Sequence, residues 1–270
     1  MSRNFRAFLV LLLLGLLKLP VEERVVGDLR SQHLLQVPLD LDLRENISQM
    51  SFAASLGGLR SLVASVTYLQ AYVAFEDVDW AKVDSLFTIT TRLQPLEPTY
   101  WDEAAWHQAY NAASYYLRDP DMKKIMKDKL FRDQVQRGID ILNEGLRYLP
   151  NNPRLLVKLA DIHKDRVGDH RKAGEYYIEA AKHGAKDYFE RFGAYEFVKT
   201  NDPELMWRAY EILKRNYDAN KKSYDNERFR STLMRDLPIL EERLQIPAEK
   251  RIKPQRPAPG VPPTRSQSGK

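Results

Sequence analysis

Cysteine is absent from the 270 residues. Its absence excludes disulfides, thiol catalysis, cysteine-ligated zinc and cysteine-linked lipid. Glycine is scarce, with 12 in the whole chain, a balance that favours helices over glycine-rich turns. No glycine stands in a GxGxxG or P-loop spacing, and neither GxSxG nor HExxH occurs. The five histidines, His33, His107, His163, His170 and His183, form no ligand pair; Gly168 separates His163 from His170. Asp140 and Glu144 lie four apart on one helix, where a solvated charged face accounts for them better than a cation site. No catalytic residue, metal ligand or cofactor is assigned, and the expectation is a chain that is not an enzyme.

Acidic residues are missing from Lys250 to the C-terminus. Lys250, Arg251, Lys253, Arg256, Arg265 and Lys270 occur there without one Asp or Glu after Glu249. Removing those six from the net charge of +5 leaves residues 1–249 at −1. The body is thus near neutral, which argues against nucleic acid as a partner. The tail, residues 248–270, is proline-rich and poor in large apolar side chains, so it is expected to be disordered. Either it is a solvated end, or it is a basic arm for acidic lipids or an acidic partner.

Long apolar runs are also rare. Ala7–Leu17 (AFLVLLLLGLL) is preceded by Arg3 and Arg6 and followed by Lys18 and Pro20. The order is that of a signal peptide or signal anchor, and no small-x-small cleavage site comes after it. Residues 1–20 are therefore expected to anchor the chain in a membrane by a single helix. The positive-inside rule then exports the chain beyond Pro20, into the periplasm if the cell is bacterial. The alternative is a buried N-terminal helix of a soluble cytoplasmic adaptor. Residues 21–50 are charged, without a periodic apolar face, and read as a linker. Asn46-Ile47-Ser48 fits a glycosylation acceptor, a tripeptide common by chance.

Residues 51–247 carry the periodicity of an all-α fold. Ser51–Phe75 is apolar almost throughout, with Arg60 its only charge, and is expected to be a buried first helix rather than a second span. Asp79–Gln94 pairs with it, capped by Asp79 and closed by Pro95. Pro98 opens the next helix at its first turn. Trp101 comes next, with the small Ala105 four residues on, and the helix runs to Leu117. Asp121–Asp133 then intervenes before the expected partner, Gln134–Leu149, which ends at Pro150. A third hairpin opens at Pro153, holds Leu159 and Ala160, turns at Gly168-Asp169 and places Ala173, Tyr177 and Ala180 on one helix face. A fourth comprises Asp187–Lys199 and Pro203–Tyr217. Glu227–Gln245, with Pro238 inside it, reads as a terminal helix whose charges, Glu241 among them, form one wet face.

These residues resemble the tetratricopeptide repeat family over about Leu56–Tyr217. The match rests on Phe87, Pro95, Trp101, Ala105, Leu159, Ala160, Ala173, Tyr177 and Ala180, with Pro150 and Gly184 closing later units. Pro150 to Gly184 is 34 residues, one repeat; Pro95 to Pro150 is 55, so about 21 are inserted. The resemblance implies an α-solenoid of about four helical hairpins whose first helices line a groove for a partner protein or peptide. Carried over, the groove positions are Thr99, Asp102, Trp106, Ala109 and Tyr110, then Arg154, Val157, Asp161 and Lys164. Trp106 and Tyr110 are either interface anchors or packing between hairpins. The function implied is a scaffold or assembly factor at a membrane. The competing reading is an envelope carbohydrate-binding protein or enzyme on a helical array, with Trp101, Trp106, Tyr110, Tyr115 and Tyr116 stacking on sugar rings.

Overall fold

The computed structural model describes residues 58–219 and 227–252. The expected anchor, the linker and the tail beyond Ile252 lie outside the described residues. Among those described the protein is all-helical, without a strand. No described helix is long and apolar enough to cross a membrane. The chain divides into two compact units at Leu155/Leu156.

The first unit begins with α1 (Arg60–Glu76) and α2 (Trp80–Leu93). Three residues join them. Val78 takes a positive φ of 60°, and the Asp79 side chain accepts the Lys82 amide at 3.0 Å, the cap expected from sequence. The buried face of α1 is small: Ala64, Thr67, Ala71 and Ala74. Such a face lets α2 approach closely, and Thr67 and Thr90 join their hydroxyls across it at 2.8 Å. Next comes α3 (Pro98–Trp106), with Pro98 in the first turn and the Glu97 carboxylate accepting the Thr99 amide. A wide π turn, His107–Ala112, carries the chain into α4 (Ala113–Arg118).

The partner is α5 (Lys124–Tyr148), a single helix of 25 residues. The repeat period sets Asp121–Asp133 apart as an insertion ahead of a helix starting at Gln134. Most of that insertion is instead the N-terminal extension of α5. No Gly or Pro interrupts 121–137, and Lys129 pairs with Asp133 one turn on at 2.6 Å. Two glycines let α5 lie against α3. A Cβ on Gly138 would come within 2.7 Å of the Ala109 Cβ, and one on Gly145 within 2.8 Å of the Trp101 ring. Trp101 is thereby buried, stacked on Tyr148, its indole N–H donating to the Pro95 carbonyl at 2.9 Å. Arg137 joins α5 to α2 through Asp84 at 2.9 Å and Thr88 at 3.1 Å.

The unit boundary falls within α6 (Pro153–Ile162). In the second unit the chain passes through another π turn, His163–Val167. Gly168 turns it at φ 77°, and Asp169 caps α7 (His170–Lys182) by accepting the Lys172 amide at 3.0 Å. Beyond it lie α8 (Tyr188–Lys199), α9 (Pro203–Ala219) and α10 (Glu227–Arg243). Helices α7 and α8 meet glycine on glycine. A Cβ on Gly174 would stand 2.4 Å from the Phe197 ring, and one on Gly193 2.6 Å from Ile178. Phe197, Leu205, Ala209, Leu213, Leu233, Leu237 and Leu240 form the core that α8, α9 and α10 share. One charge assigned to the wet face of α10 is not there. Glu241 is fully buried, accepting the Tyr210 hydroxyl at 3.1 Å and the Ile252 amide at 3.0 Å. Its carboxylate fastens the segment after α10 to the core.

Candidate functional site

Three of the groove positions read from sequence converge, but on one another. The Arg154 guanidinium donates to Asp102 at 2.7 Å and to Thr99 at 3.1 Å. Asp102 is buried, so the trio joins α3 to the start of α6. Ala109 is fully buried against Gly138, which corrects its placement in an open groove. The physical reason is its spacing: Ala109 stands four residues after buried Ala105 and eight after buried Trp101, on the helix face that α5 covers. Trp106 remains the exposed aromatic of this stretch, at 42%, with Tyr110 half-buried.

The π turn opens on His107, a buried residue to which the sequence assigns no role. Rings of Phe75, Phe87, Trp106 and Tyr72 lie 4.7 to 5.4 Å from its own. The Asn111 amide donates to Nδ1 at 3.2 Å, which places the proton of the neutral ring on Nε2. Nε2 has no hydrogen-bond partner among the described residues. Burial drives the imidazole pKa down to about 4. The second π turn also opens on a buried histidine, His163, whose pKa burial likewise lowers.

The second unit holds an open cleft of about 470 Å³. Its walls come from the π turn (Lys164, Asp165), α7 (His170, Tyr177) and α8 (Phe192, Tyr195, Glu196, Lys199). Glu196 is buried and bridges two cations or donors: His170 Nδ1 at 2.7 Å and Lys199 Nζ at 2.6 Å. The Tyr177 hydroxyl donates to Asp161, and Lys164 stands 3.4 Å from Asp165 and 3.9 Å from Asp161. Burial first, then the Asp161 contact, holds the Tyr177 hydroxyl protonated far above its usual range. Burial also raises the Asp161 carboxyl, against the lowering effect of the Tyr177 hydrogen bond. Tyr195 is pushed up to about 12, chiefly by burial and then by Asp236. Phe192, 45% exposed, packs edge-on to Tyr177 beside Phe189 and Tyr188.

Of the sequence-read positions in this unit, Lys164 lines the cleft, Asp161 supports it through Tyr177, and half-buried Val157 is not among its lining residues. Sequence reading misses Phe192, Glu196 and Lys199. They stand at i, i+4 and i+7 on α8, a legible one-face spacing. The Glu196 oxygens are already engaged, and no Ser or Thr hydroxyl lines the walls. The arrangement offers ammonium donors beside an exposed ring, a surface suited to binding. Among the described residues, no group of three His, Asp or Glu side chains is placed to hold a metal ion. No protein-family model matches the chain, and a search of curated proteins finds no match.

Proposed function

We propose that the chain is a non-enzymatic docking scaffold, a tetratricopeptide-like α-solenoid held at a membrane by Ala7–Leu17, which captures a segment of a partner protein. The cleft of the second unit is the observation that carries this reading. Phe192 offers an uncovered apolar ring of the kind that anchors interfaces. Lys164 and Lys199 flank it with ammonium groups that fix orientation by hydrogen bonding to carbonyl or carboxylate oxygens of the guest. The guest that fits is an extended or helical segment with one aliphatic or aromatic side chain over Phe192 and acceptors on either side. Exposed Trp106 is a second anchor, belonging to the first unit. Export of the helical body and contact of the basic tail with acidic headgroups belong to the same proposal.

The test places a photoreactive phenylalanine analogue at position 192 in cells of the native host. One recurring protein adduct is expected, lost when Lys164→Ala and Lys199→Ala are added, and absent when the analogue is moved to exposed Ile125. An adduct indifferent to both lysines would count against the cleft. The exposed rings of Tyr188 and Phe192 favour one second reading, a carbohydrate ligand stacked on them. A sugar that raises the melting temperature of wild type but not of Phe192→Ala would favour that reading instead.

A further inference from the structure

A second groove of the same unit lies among α8, α9 and α10 and holds about 360 Å³. That is within the roughly 300–1,000 Å³ of small-ligand sites. Val198 of α8, Leu213 of α9, and Ile239 and Leu240 of α10 make it apolar. Leu213 and Leu240 are buried, whereas Ile239 is 54% exposed. The contacts between α8 and α10 follow the same order along both chains. Tyr195 faces Asp236, and Asn201, just past α8, meets Arg243. Polar groups are therefore sorted by end, with an apolar stretch about 10 Å long between residues 236 and 243.

The charges at the two ends differ in how they are matched. Asp236 is held by Arg235 at 2.7 Å, and Lys199 by Glu196 at 2.6 Å. Arg243 meets neutral atoms only. Its Nη2 donates to the Asn201 side-chain oxygen at 2.6 Å and stands 3.4 Å from the Met206 sulfur. Asp202, next to Asn201, is engaged by Arg171. Among the described residues, no carboxylate pairs with Arg243, and its Nε and Nη1 have no acceptor. The groove thus ends in a guanidinium already fixed on one side and lacking one negative charge.

We propose that this groove binds a free aliphatic monocarboxylate of medium chain length, with the chain against Val198, Leu213, Ile239 and Leu240 and the carboxylate on Arg243. One charge is to be matched, which suits a carboxylate better than a phosphate monoester at about −1.5 to −2. A peptide would bring amide groups that the apolar walls leave without partners. Burial of the chain supplies affinity, and the arginine fixes orientation. The site does not depend on the docking role of the cleft, with which it shares Tyr195 and Lys199.

The test is a methyl NMR titration of the full-length chain with decanoate, in nanodiscs of neutral lipid or, where the chain proves unattached to lipid, in buffer. The methyl resonances of Val198, Leu213, Ile239 and Leu240 are expected to shift together and saturate. Decanol should bind about tenfold more weakly or worse. Arg243→Gln should weaken decanoate to the level of decanol and leave decanol unchanged, a split that a structural role alone does not produce. Ile239→Trp fills the groove and should abolish both. Both residues are exposed, so the fold should survive; if Arg243→Gln lowers the thermal midpoint, Arg243→Lys is read in its place and should retain part of the preference for decanoate. Absence of shifts at these methyls overturns the proposal. So does equal binding of decanol and decanoate, or binding indifferent to both variants. If anionic phospholipid in the disc produces the same shifts without decanoate, the ligand is a membrane lipid, and the free acid is overturned as its source.

Discussion

Substituting His107 by phenylalanine is expected to make the first unit resistant to mild acid. In the fold, the imidazole titrates at about 4, lowered by burial from its ordinary 6.5. The lowered value means that the unfolded chain binds a proton more readily than the folded one. The stability associated with the neutral ring is fully present above pH 6.5 and is lost as pH falls from 6.5 towards 4. A gap of about 2.5 pH units corresponds to roughly 3 kcal/mol in all, of which about 2 kcal/mol disappears between pH 7 and pH 5. Against a total stability of about 5–15 kcal/mol, such a loss is large. The groups facing the ring add little charge of their own. Tyr72 stays protonated because burial and its hydrogen bonds to Tyr68 and Glu103 raise its pKa, and the remaining neighbours are Phe75, Phe87 and Trp106. A phenyl ring matches this apolar surround, and it also removes the unpartnered Nε2. Urea unfolding tracked by tryptophan fluorescence suits the measurement, since Trp80, Trp101 and Trp106 all belong to the first unit. Wild type should lose about 2 kcal/mol between pH 7 and 5, while His107→Phe loses clearly less. Parallel pH profiles for the two proteins, or an imidazole resonance titrating near 6.5 in the folded protein, would refute the reasoning.

Other perturbations test the packing and the cleft. Gly174→Ala drives a methyl into Phe197 at 2.4 Å and should cost about 1–3 kcal/mol, read as a lower thermal midpoint. Glu241→Ala leaves the Tyr210 hydroxyl and the Ile252 amide without their acceptor; a loss of about 1–3 kcal/mol is expected, and exchange of the Ile252 amide should accelerate. Arg154→Ala should cost about 1–3 kcal/mol in denaturation, because the arginine is half exposed but its partner Asp102 is buried. Phe192→Ala should change stability little while abolishing the adduct formed by a photoreactive analogue placed at neighbouring, exposed Tyr188.

Helix positions are legible in the sequence because their punctuation is local. Asp79 caps the helix expected to start at it, Pro98 and Pro203 open theirs, and the chain turns at Gly168-Asp169 as expected, with Gly168 left-handed. Continuity is harder to read. The segment before Gln134 reads as an insertion because the repeat period demands one, yet its residues contain nothing to stop a helix. Face assignment fails for a different reason. The repeat resemblance places Ala109 in the groove, whereas its spacing of four from Ala105 and eight from Trp101 puts it on their buried face, under Gly138. The π turn at His107–Ala112 leaves almost no signature in composition, so it is invisible before the backbone is known. Burial of Glu241 is equally hidden, because its partners lie 31 and 11 residues away along the chain.

The glycines show what the scarcity of that residue conceals. Low glycine content points to helices, and the few helical glycines do more than fill positions. Gly138 and Gly145 are seven apart on α5, one face of the helix, and both admit a neighbour that a methyl group would exclude. Gly174 and Gly193 do the same between α7 and α8, each standing within 3 Å of the other's carbonyl once a Cβ is imagined. Each glycine costs a helix roughly 0.5–1 kcal/mol relative to alanine. A helix tolerates that penalty where close approach buries large rings, and here those rings are Trp101 and Phe197, both almost wholly enclosed. Close packing of α7 on α8 also holds His170 of one helix within reach of Glu196 on the other. In the second unit, then, the residue type that weakens each helix alone is what lets two helices assemble the walls of the cleft.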